Sequence, residues 1–356
     1  MEKIIFWNNK GGTGKTTLAF QVICEYARAN KSKKILVIDV CPQANLSELM
    51  LGGLDQHGSE VLSKRQGLIP RATIGGYFQM RLPSPYSAPQ FTPEDYLTKP
   101  SEFNQFIEPN IALLCGDAML ELQSNAISTL ANNQIPGTNT WIAIINWLND
   151  FINALTEQYD IVFIDANPSF SMYTQIAIAT STKIILPVMA DDSSRRAIQN
   201  AFSLIYSLKL PSEIYSKYMF AEKLQEANMK LPQIYLVLKN RLTQYMGAAS
   251  AYATVLNSIN TDIDKLLKSN PHIFSHDFKR EIEALNETDS KIEGIIDIRD
   301  FQTAGVVSAA RGCPFYKLRS GRLTLLGKRV SVKEEYKQNC ITSVQKIANK
   351  LIKDFE

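Results

Sequence analysis

A glycine-rich stretch near the start of the chain decides the fold, and it reads Asn9-Lys10-Gly11-Gly12-Thr13-Gly14-Lys15-Thr16-Thr17. The apolar run at 4–7 precedes it and predicts a short buried strand. After it, apolar residues recur at helical spacing over 18–27 and predict an amphipathic helix. A glycine-rich loop between a strand and a helix lets backbone N–H groups converge on a phosphate at the positive end of the helix dipole. The stretch therefore predicts a nucleotide-binding loop.

The end of this loop indicates which groups of the nucleotide it holds. We expect Lys15 to reach the β- and γ-phosphates of ATP and the Thr16 hydroxyl to ligate Mg²⁺. The general phosphate-loop pattern asks for glycine at position 9, where this chain has Asn9, so the strict pattern fails while the Gly-Lys-Thr ending is kept. The expected nucleotide-binding residues of the loop are Gly11, Gly12, Thr13, Gly14, Lys15, Thr16 and Thr17.

The rest of the chain alternates short apolar runs with helical patterns, which is typical of a parallel α/β sheet. Further buried strands are predicted at 35–38, 111–114, 161–164, 184–187 and 234–237. Continuous apolar strands separated by amphipathic helices predict an α/β fold with a doubly wound, mostly parallel sheet that is covered on both faces.

Some segments break this alternation. The stretch 52–109 is rich in Pro, Ser, Gln and Tyr, and we predict an irregular insertion on the protein surface. Polar helical patterns predict helical insertions at about 212–230 and 247–292. Since no Gly/Ser-rich linker separates these parts, we predict a single domain over residues 1–356.

Composition excludes several classes of protein. The 356 residues are 45% hydrophobic and 21% charged, as in a globular domain, and the net charge is only +3. No apolar run approaches the roughly 20 residues that span a bilayer. The five cysteines are scattered and form neither a disulfide framework nor a Cys-x-x-Cys metal pair, so we expect a reducing cytoplasm.

Lys10-Gly-Gly-x-Gly-Lys-Thr-Thr is the deviant Walker A signature, and the sequence resembles the ParA/MinD family of P-loop ATPases, most of all its ParA-like partition ATPases. The stretches 38–47 and 159–169 resemble the family's switch I and its Walker B and switch II segments. The resemblance implies ATP and Mg²⁺ as cofactors and an ATP-sandwich homodimer in which Lys10 reaches the partner's nucleotide. It also implies that Asp39 and Asp165 join Thr16 at the metal and that Asn240 contacts the adenine edge.

Cys41 departs from this family pattern. It stands where relatives carry the switch I carboxylate that positions the attacking water, and a protonated thiol is a weak hydrogen-bond partner. Three accounts stay open: hydrolysis is slow, Gln43 or Asp39 positions the water, or a partner protein supplies the missing group. We expect an ATPase that forms ADP and phosphate slowly or only with a partner, with Lys10, Lys15, Asp39 and Cys41 at its catalytic centre.

The C-terminal region is more basic than the net charge suggests. Residues 301–333 contain seven Lys or Arg and no Asp or Glu, and leucines and valines alternate with the charges. This pattern predicts an amphipathic strand or hairpin with a basic face, which binds DNA phosphates without reading sequence. DNA binding late in the chain is also what the family resemblance implies. The expected DNA-binding residues are Lys317, Arg319, Arg322, Lys328 and Arg329.

These observations favour a cytoplasmic ParA-like ATPase that dimerises with ATP, binds DNA nonspecifically and positions or segregates DNA or other cargo. DNA binding would make it nucleoid-associated, and an activating partner protein is expected. One alternative is an ATP-gated protein-interaction switch in a multi-protein regulatory or defence system. Another is a MinD-like membrane-cycling ATPase, but we expect the apolar helical pattern at 336–352 to pack on the core, so a membrane is not an expected partner.

Overall fold

Strands and helices alternate along the chain in the computed structural model, which describes residues 1–133, 136–189, 191–208, 219–242, 250–278, 280–281 and 291–355. The strands are β1 (Glu2–Phe6), β2 (Ile35–Val40), β3 (Leu97–Thr98), β4 (Ile111–Leu114), β5 (Ile161–Ala166), β6 (Lys183–Met189), β7 (Gln233–Leu242), β8 (Arg280–Glu281), β9 (Lys291–Ile292), β10 (Ile295–Arg299), β11 (Gly321–Leu325) and β12 (Lys328–Val332). The helices are α1 (Lys15–Ala29), α2 (Asn45–Met50), α3 (Gly58–Gln66), α4 (Ile74–Arg81), α5 (Met119–Ala131), α6 (Thr140–Ile145), α7 (Trp147–Ala154), α8 (Met172–Thr180), α9 (Asp192–Tyr206), α10 (Phe220–Glu226), α11 (Ser250–Ser269), α12 (Gln302–Arg311) and α13 (Glu334–Phe355). Short 3₁₀ turns lie at Pro93–Tyr96, Pro100–Glu102, Pro271–Ile273 and Phe315–Lys317.

An eight-stranded sheet carries the fold, in the order β10-β7-β6-β1-β5-β2-β4-β3. Every pair of neighbouring strands is parallel except β3 with β4 at one edge. The predicted doubly wound, mostly parallel sheet is therefore confirmed. Because β1, β5 and β2 are adjacent, the loops that follow their carboxyl ends meet at one place, where ligands bind in folds of this kind.

Apolar cores cover both faces of the sheet. Strands β2 and β5 are buried along their whole length, as continuous apolar strands between two helical layers must be. Apolar residues of α1, α12 and α13 pack on one face. Those of α4 to α9 and of α11 pack on the other. This two-sided burial fixes the strands rigidly and thereby fixes the loops at their ends.

The segment 52–109 is not the surface excursion that its composition predicts. It contains α3 and α4, and the rings of Tyr77 and Phe78 on α4 are fully buried. Tyr77 lies against Phe91, Tyr96 and Phe151, with centroid distances of 5.5, 6.1 and 4.9 Å. The prediction was wrong because these aromatic residues lack a regular spacing and are buried by tertiary contacts with α7.

The two predicted helical insertions are only partly helical in the described residues. Helix α10 falls within 212–230, while residues 212–218 lie outside the part that the structure describes. Helix α11 falls within 247–292, but that stretch also contributes β8 and β9, which pair antiparallel. Residues 247–249 and 282–290 lie outside the described part. The division into one domain with insertions stays a prediction.

Candidate functional site

The glycine-rich loop connects β1 to α1, as predicted. Gly12 and Gly14 have φ angles of 74° and 82°, a region in which a side chain is strained. Around Gly11 and Gly12 a Cβ would meet open space, so the backbone there is accessible to a ligand. At Gly14 a Cβ would collide with the side-chain amide of Asn240, so this position also lacks room. The loop thus combines left-handed turns, an open surface and a helix N-terminus, which is the arrangement that binds phosphate.

Lys15 opens α1 and is only 7% exposed. Its Nζ donates to the backbone oxygen of Lys10 at 3.1 Å, so the side chain folds back over the loop. Burial lowers the pKa of Lys15, while the nearby Asp165 and Cys41 act in the opposite direction. A phosphate strongly stabilises the charged form of a desolvated lysine. The negative phosphate replaces the water that the ammonium group loses on burial.

Two buried aspartates face each other across neighbouring strands. Asp39 of β2 and Asp165 of β5 are register partners and are 0% and 1% exposed. One oxygen of Asp165 accepts from the Thr16 hydroxyl at 2.7 Å. One oxygen of Asp39 accepts from the backbone N–H and the hydroxyl of Ser47, at 2.9 and 2.7 Å. In each carboxylate the other oxygen, Oδ1, is buried and has no hydrogen-bond partner among the described residues.

The free oxygens of these aspartates test whether the site fits Mg²⁺. Burial raises the pKa of both carboxyl groups, and the charge of Asp39 raises that of Asp165 further. A cation bound here would counter both causes of the raised pKa values, because it neutralises the two carboxylates and is coordinated by their unpartnered oxygens. Within the described residues no group of three His, Cys, Asp or Glu could enclose a metal. The donor set of Thr16, Asp39 and Asp165 fits Mg²⁺, which keeps waters and shares phosphate oxygens with the protein.

The Lys10 side chain is bound by residues near the start of α9 in the same chain. Its Nζ donates to both carboxylate oxygens of Asp191, at 2.7 and 2.8 Å, and to the hydroxyls of Ser193 and Ser194 at 2.6 and 3.2 Å. Asp191 is the N-cap of α9 and also accepts from the Ser194 N–H at 2.7 Å. Burial opposes ionisation of Asp191, but the hydrogen bonds from Lys10, Ser193 and Ser194 outweigh it and lower the pKa to about 2. Asp191 was missed by the sequence reasoning, although Asp is among the residues preferred at a helix N-cap.

Cys41 follows β2 directly and carries an uncharged thiol. Burial, together with the charges of Asp39 and Asp165, raises its pKa to about 12. The thiol is therefore protonated at neutral pH and is a weak acceptor for a water molecule. Gln43, the other candidate in this segment, is exposed and its Oε1 accepts from Asn45 at 3.3 Å.

Two asparagines form hydrogen bonds with the backbone of the loop. Asn240, near the end of β7, donates from Nδ2 to the backbone oxygen of Thr13 at 2.9 Å and accepts at Oδ1 from the Arg241 N–H. It lies beside the phosphate loop, and its predicted contact with adenine stays a prediction. Asn8 was missed by the sequence reasoning. It is fully buried, donates to the Pro187 oxygen at 2.7 Å and accepts from the Lys10 N–H at 3.0 Å.

The predicted basic hairpin is present as β11 and β12, which pair antiparallel. Arg322 and Arg329 lie on one exposed face, since Arg329 is opposite Thr324 and alternate residues share a face. Leu325 and Val332 are buried against the core. Arg319 and Lys328 are also exposed. Lys317 is different, because it lies in a 3₁₀ turn before the hairpin and binds Glu108 at 2.9 Å.

The C-terminal helix α13 packs on the core rather than presenting an apolar face. Val344, Ile347 and Leu351 are buried in the same cluster as the residues of α1. Among the described residues, no helix combines the length and apolar character needed to cross a membrane.

Comparisons with known proteins agree with this geometry. The model of a family described as AAA domain matches residues 1–217. The chain is 24% identical over 214 residues to the virulence plasmid ParA family protein pGP5-D of Chlamydia muridarum, a match that covers 60% of this chain and 65%, just under two thirds, of that protein.

Solved structures share the fold over nearly the whole chain. A putative plasmid partition protein from Borrelia burgdorferi bound to AMPPNP has a TM-score of 0.53 at 14% identity, covering 98% of this chain and 99% of its own. A complex of Cyanothece McdA with ATP has a TM-score of 0.54 at 15% identity, covering 98% and 96%. The family model matches more than half of the chain, and the chain has the phosphate loop and the paired aspartates. The chain therefore belongs to the AAA domain family, as a ParA/MinD-like P-loop ATPase.

Proposed function

We propose that this protein is a ParA-like ATPase that dimerises with ATP and Mg²⁺, binds DNA nonspecifically and positions or segregates DNA or another cargo. The observation that carries the proposal is the phosphate loop with Lys15, next to the two buried aspartates. Each aspartate has one carboxylate oxygen without a hydrogen-bond partner among the described residues, and we assign Mg²⁺ and the phosphates to this place. The solved relatives with AMPPNP and with ATP support nucleotide as the ligand of this fold.

ATP binding is assigned to the loop residues 11–17 and to Asn240 beside them. Mg²⁺ is assigned to Thr16, Asp39 and Asp165. When bound, the metal supplies charge neutralisation for the phosphates. The protein's own groups do the rest: Lys15 binds the phosphates, and Ser47 donates to one Asp39 oxygen, while the other has no hydrogen-bond partner among the described residues.

Dimerisation is assigned to Lys10. In one protomer its charge is neutralised by Asp191, and the side chain is 23% exposed. To reach a partner's nucleotide, Lys10 must break its hydrogen bonds to Asp191, Ser193 and Ser194. The phosphates of ATP carry more negative charge than Asp191 and replace these three residues as its partners. This exchange makes assembly depend on nucleotide.

Hydrolysis is expected to be slow or to depend on a partner protein. The neutral Cys41 thiol orients water poorly, while Asp39 is committed to Ser47 through one of its oxygens. The same observation favours the second candidate function, an ATP-gated protein-interaction switch in which turnover is not the output. DNA binding separates the two candidates.

DNA binding is assigned to Arg322 and Arg329 on the exposed face of the hairpin, together with the exposed Arg319 shortly before it and the exposed Lys328 at the start of β12. Lys317 contributes less, because Glu108 neutralises it. We expect wild-type protein to retard nonspecific duplex DNA in a gel with ATP and not with ADP. ATP forms the dimer, and once one of its two hairpins is bound, the other is held at a high effective concentration near the same duplex.

Reversing the charges of Arg319, Arg322 and Arg329 to Glu should abolish this retardation. Each lost phosphate contact also lowers the salt dependence of binding. The matched control reverses Lys31, Lys64 and Lys230, which are equally exposed and lie elsewhere, and should retain retardation. Equal retardation by both triple variants would remove the hairpin from the DNA interface, and ATP-dependent dimers without any DNA affinity would favour the interaction switch.

A further inference from the structure

A groove of about 690 Å³ lies at the end of the sheet opposite β3. Its floor is the edge strand β10, with Ile295, Ile296 and Asp297 lining it. Among the described residues no further strand pairs with the outer side of β10. Asn260 of α11 forms one wall and α13 forms the other, so the groove is bounded by the two helical layers of the protein.

The main chain of β10 presents hydrogen-bonding groups to this groove. The Gly294 oxygen accepts from the Val237 N–H of β7 at 2.8 Å. Alternate residues of a strand bond to the same side, so the main-chain groups of Ile295 and Asp297 point away from β7. An unpaired strand edge of this kind is a template for one more strand.

The wall formed by α13 is positively charged. Lys346, Lys350 and Lys353 line the groove, and their spacing of four and three residues places them on one helical face. Lys350 binds Asp354 at 3.1 Å, whereas Lys346 and Lys353 have no ion-pair partner in the part of the chain that the structure describes. The three lysines span about 10 Å of helix, and successive side chains on one face of an extended strand are about 7 Å apart.

Away from α13, the lining contains one exposed acidic residue, Glu293, and one ion pair between Lys239 and Asp297. Lys239 is only 5% exposed and binds Asp297 at 2.8 Å and Asn260 at 3.3 Å. Its charge is therefore used within the protein. An incoming strand would meet the positive charge of three lysines on the α13 side, the polar Asn260 on the α11 side and the single negative charge of Glu293.

We propose that this groove binds an extended acidic peptide segment of a partner protein, which adds a strand to β10 and places acidic side chains at every second residue against Lys346, Lys350 and Lys353. Strand addition supplies main-chain hydrogen bonds, and the alternation supplies the charge match. A DNA duplex would contact the lysines but not the recessed strand edge, so the observations favour a peptide. The inference goes beyond the proposed nucleotide and DNA functions and does not depend on them.

The test measures the fluorescence anisotropy of a labelled eight-residue peptide of alternating Glu and Thr titrated with the full-length protein. We expect saturable binding that Lys346→Glu with Lys353→Glu weakens at least tenfold. Both side chains are exposed, and ATP binding by the double variant checks that it is folded. The control Lys328→Glu with Arg329→Glu changes the hairpin by the same charge and should leave peptide binding unchanged.

Two further probes separate strand addition from simple charge attraction. The same peptide with N-methyl groups on alternate amides, prepared in both registers, should lose binding in one register, because one set of N–H groups faces β10. Equal binding of both methylated peptides would overturn the strand addition. The proposal is also overturned if the alternating peptide does not bind, or if duplex DNA rather than the peptide loses affinity in the Lys346 and Lys353 variant.

Discussion

Lys15→Ala is expected to lower the affinity for ATP about thirtyfold or more. The Lys15 side chain is 7% exposed and folds over the loop, so its loss removes a desolvated charge partner of the phosphates. Removing one member of a buried charge pair costs about 2–5 kcal/mol, and each 1.4 kcal/mol is about a factor of ten in the dissociation constant. Isothermal titration with ATP and Mg²⁺ measures the change directly.

Lys64→Ala is the matched control for this variant. Lys64 is an exposed lysine in the last turn of α3, and its removal should leave the affinity for ATP unchanged. Circular dichroism should show the same helix content in both variants. Tight ATP binding by a folded Lys15→Ala protein would remove the phosphate loop from the site and contradict the nucleotide assignment.

Cys41→Asp is expected to raise basal ATP turnover about tenfold or more, because a positioned carboxylate typically contributes 10²–10⁴ in rate where a proton is transferred. The wild-type thiol is neutral, since burial and the adjacent aspartates raise its pKa to about 12. The new carboxylate lies near Asp39 and Asp165. We therefore expect the variant to unfold at a lower temperature than the wild type without ligand. ATP with Mg²⁺ should raise its unfolding temperature by more than that of the wild type.

Cys41→Ala separates the carboxylate from the loss of the thiol. It should leave basal turnover at the wild-type level, because neither alanine nor a protonated thiol orients the water. Steady-state phosphate release and thermal unfolding with and without Mg²⁺ and ATP are the measurements. A folded, ATP-binding Cys41→Asp protein without faster turnover would contradict this explanation of Cys41 and leave Gln43, Asp39 or a partner as the source of the water-positioning group.

The features that were predictable from sequence are local ones. The loop at 9–17 lies between an apolar run and a helical pattern, and its glycines, Lys15 and Thr16 are contiguous, so spacing alone indicates the chemistry. Asp39 and Asp165 were expected at the site because the stretches 38–47 and 159–169 resemble the family's switch and Walker B segments, and they are register partners on neighbouring strands. The hairpin was predictable from the alternation of leucines and basic residues.

The features that were missed depend on contacts between distant parts of the chain. Asp191 meets Lys10 across 181 positions, and no local pattern reports that meeting. Tyr77 and Phe78 become buried because α7 covers them, although the composition around them resembles that of a loop. Lys317 belongs to the basic window in sequence, yet Glu108, far from it in sequence, binds its charge. The groove at β10 exists only because α11 and α13 flank the same sheet edge.

In the proposed function, ATP controls assembly through the loop that contains Lys10 and Lys15. Sedimentation velocity of the wild-type protein with Mg²⁺ and either ATP or ADP tests it most directly. We expect a dimer of about 80 kDa, twice the 40.0 kDa chain, with ATP and a monomer with ADP. The same mass with both nucleotides, whether monomer or dimer, would contradict it.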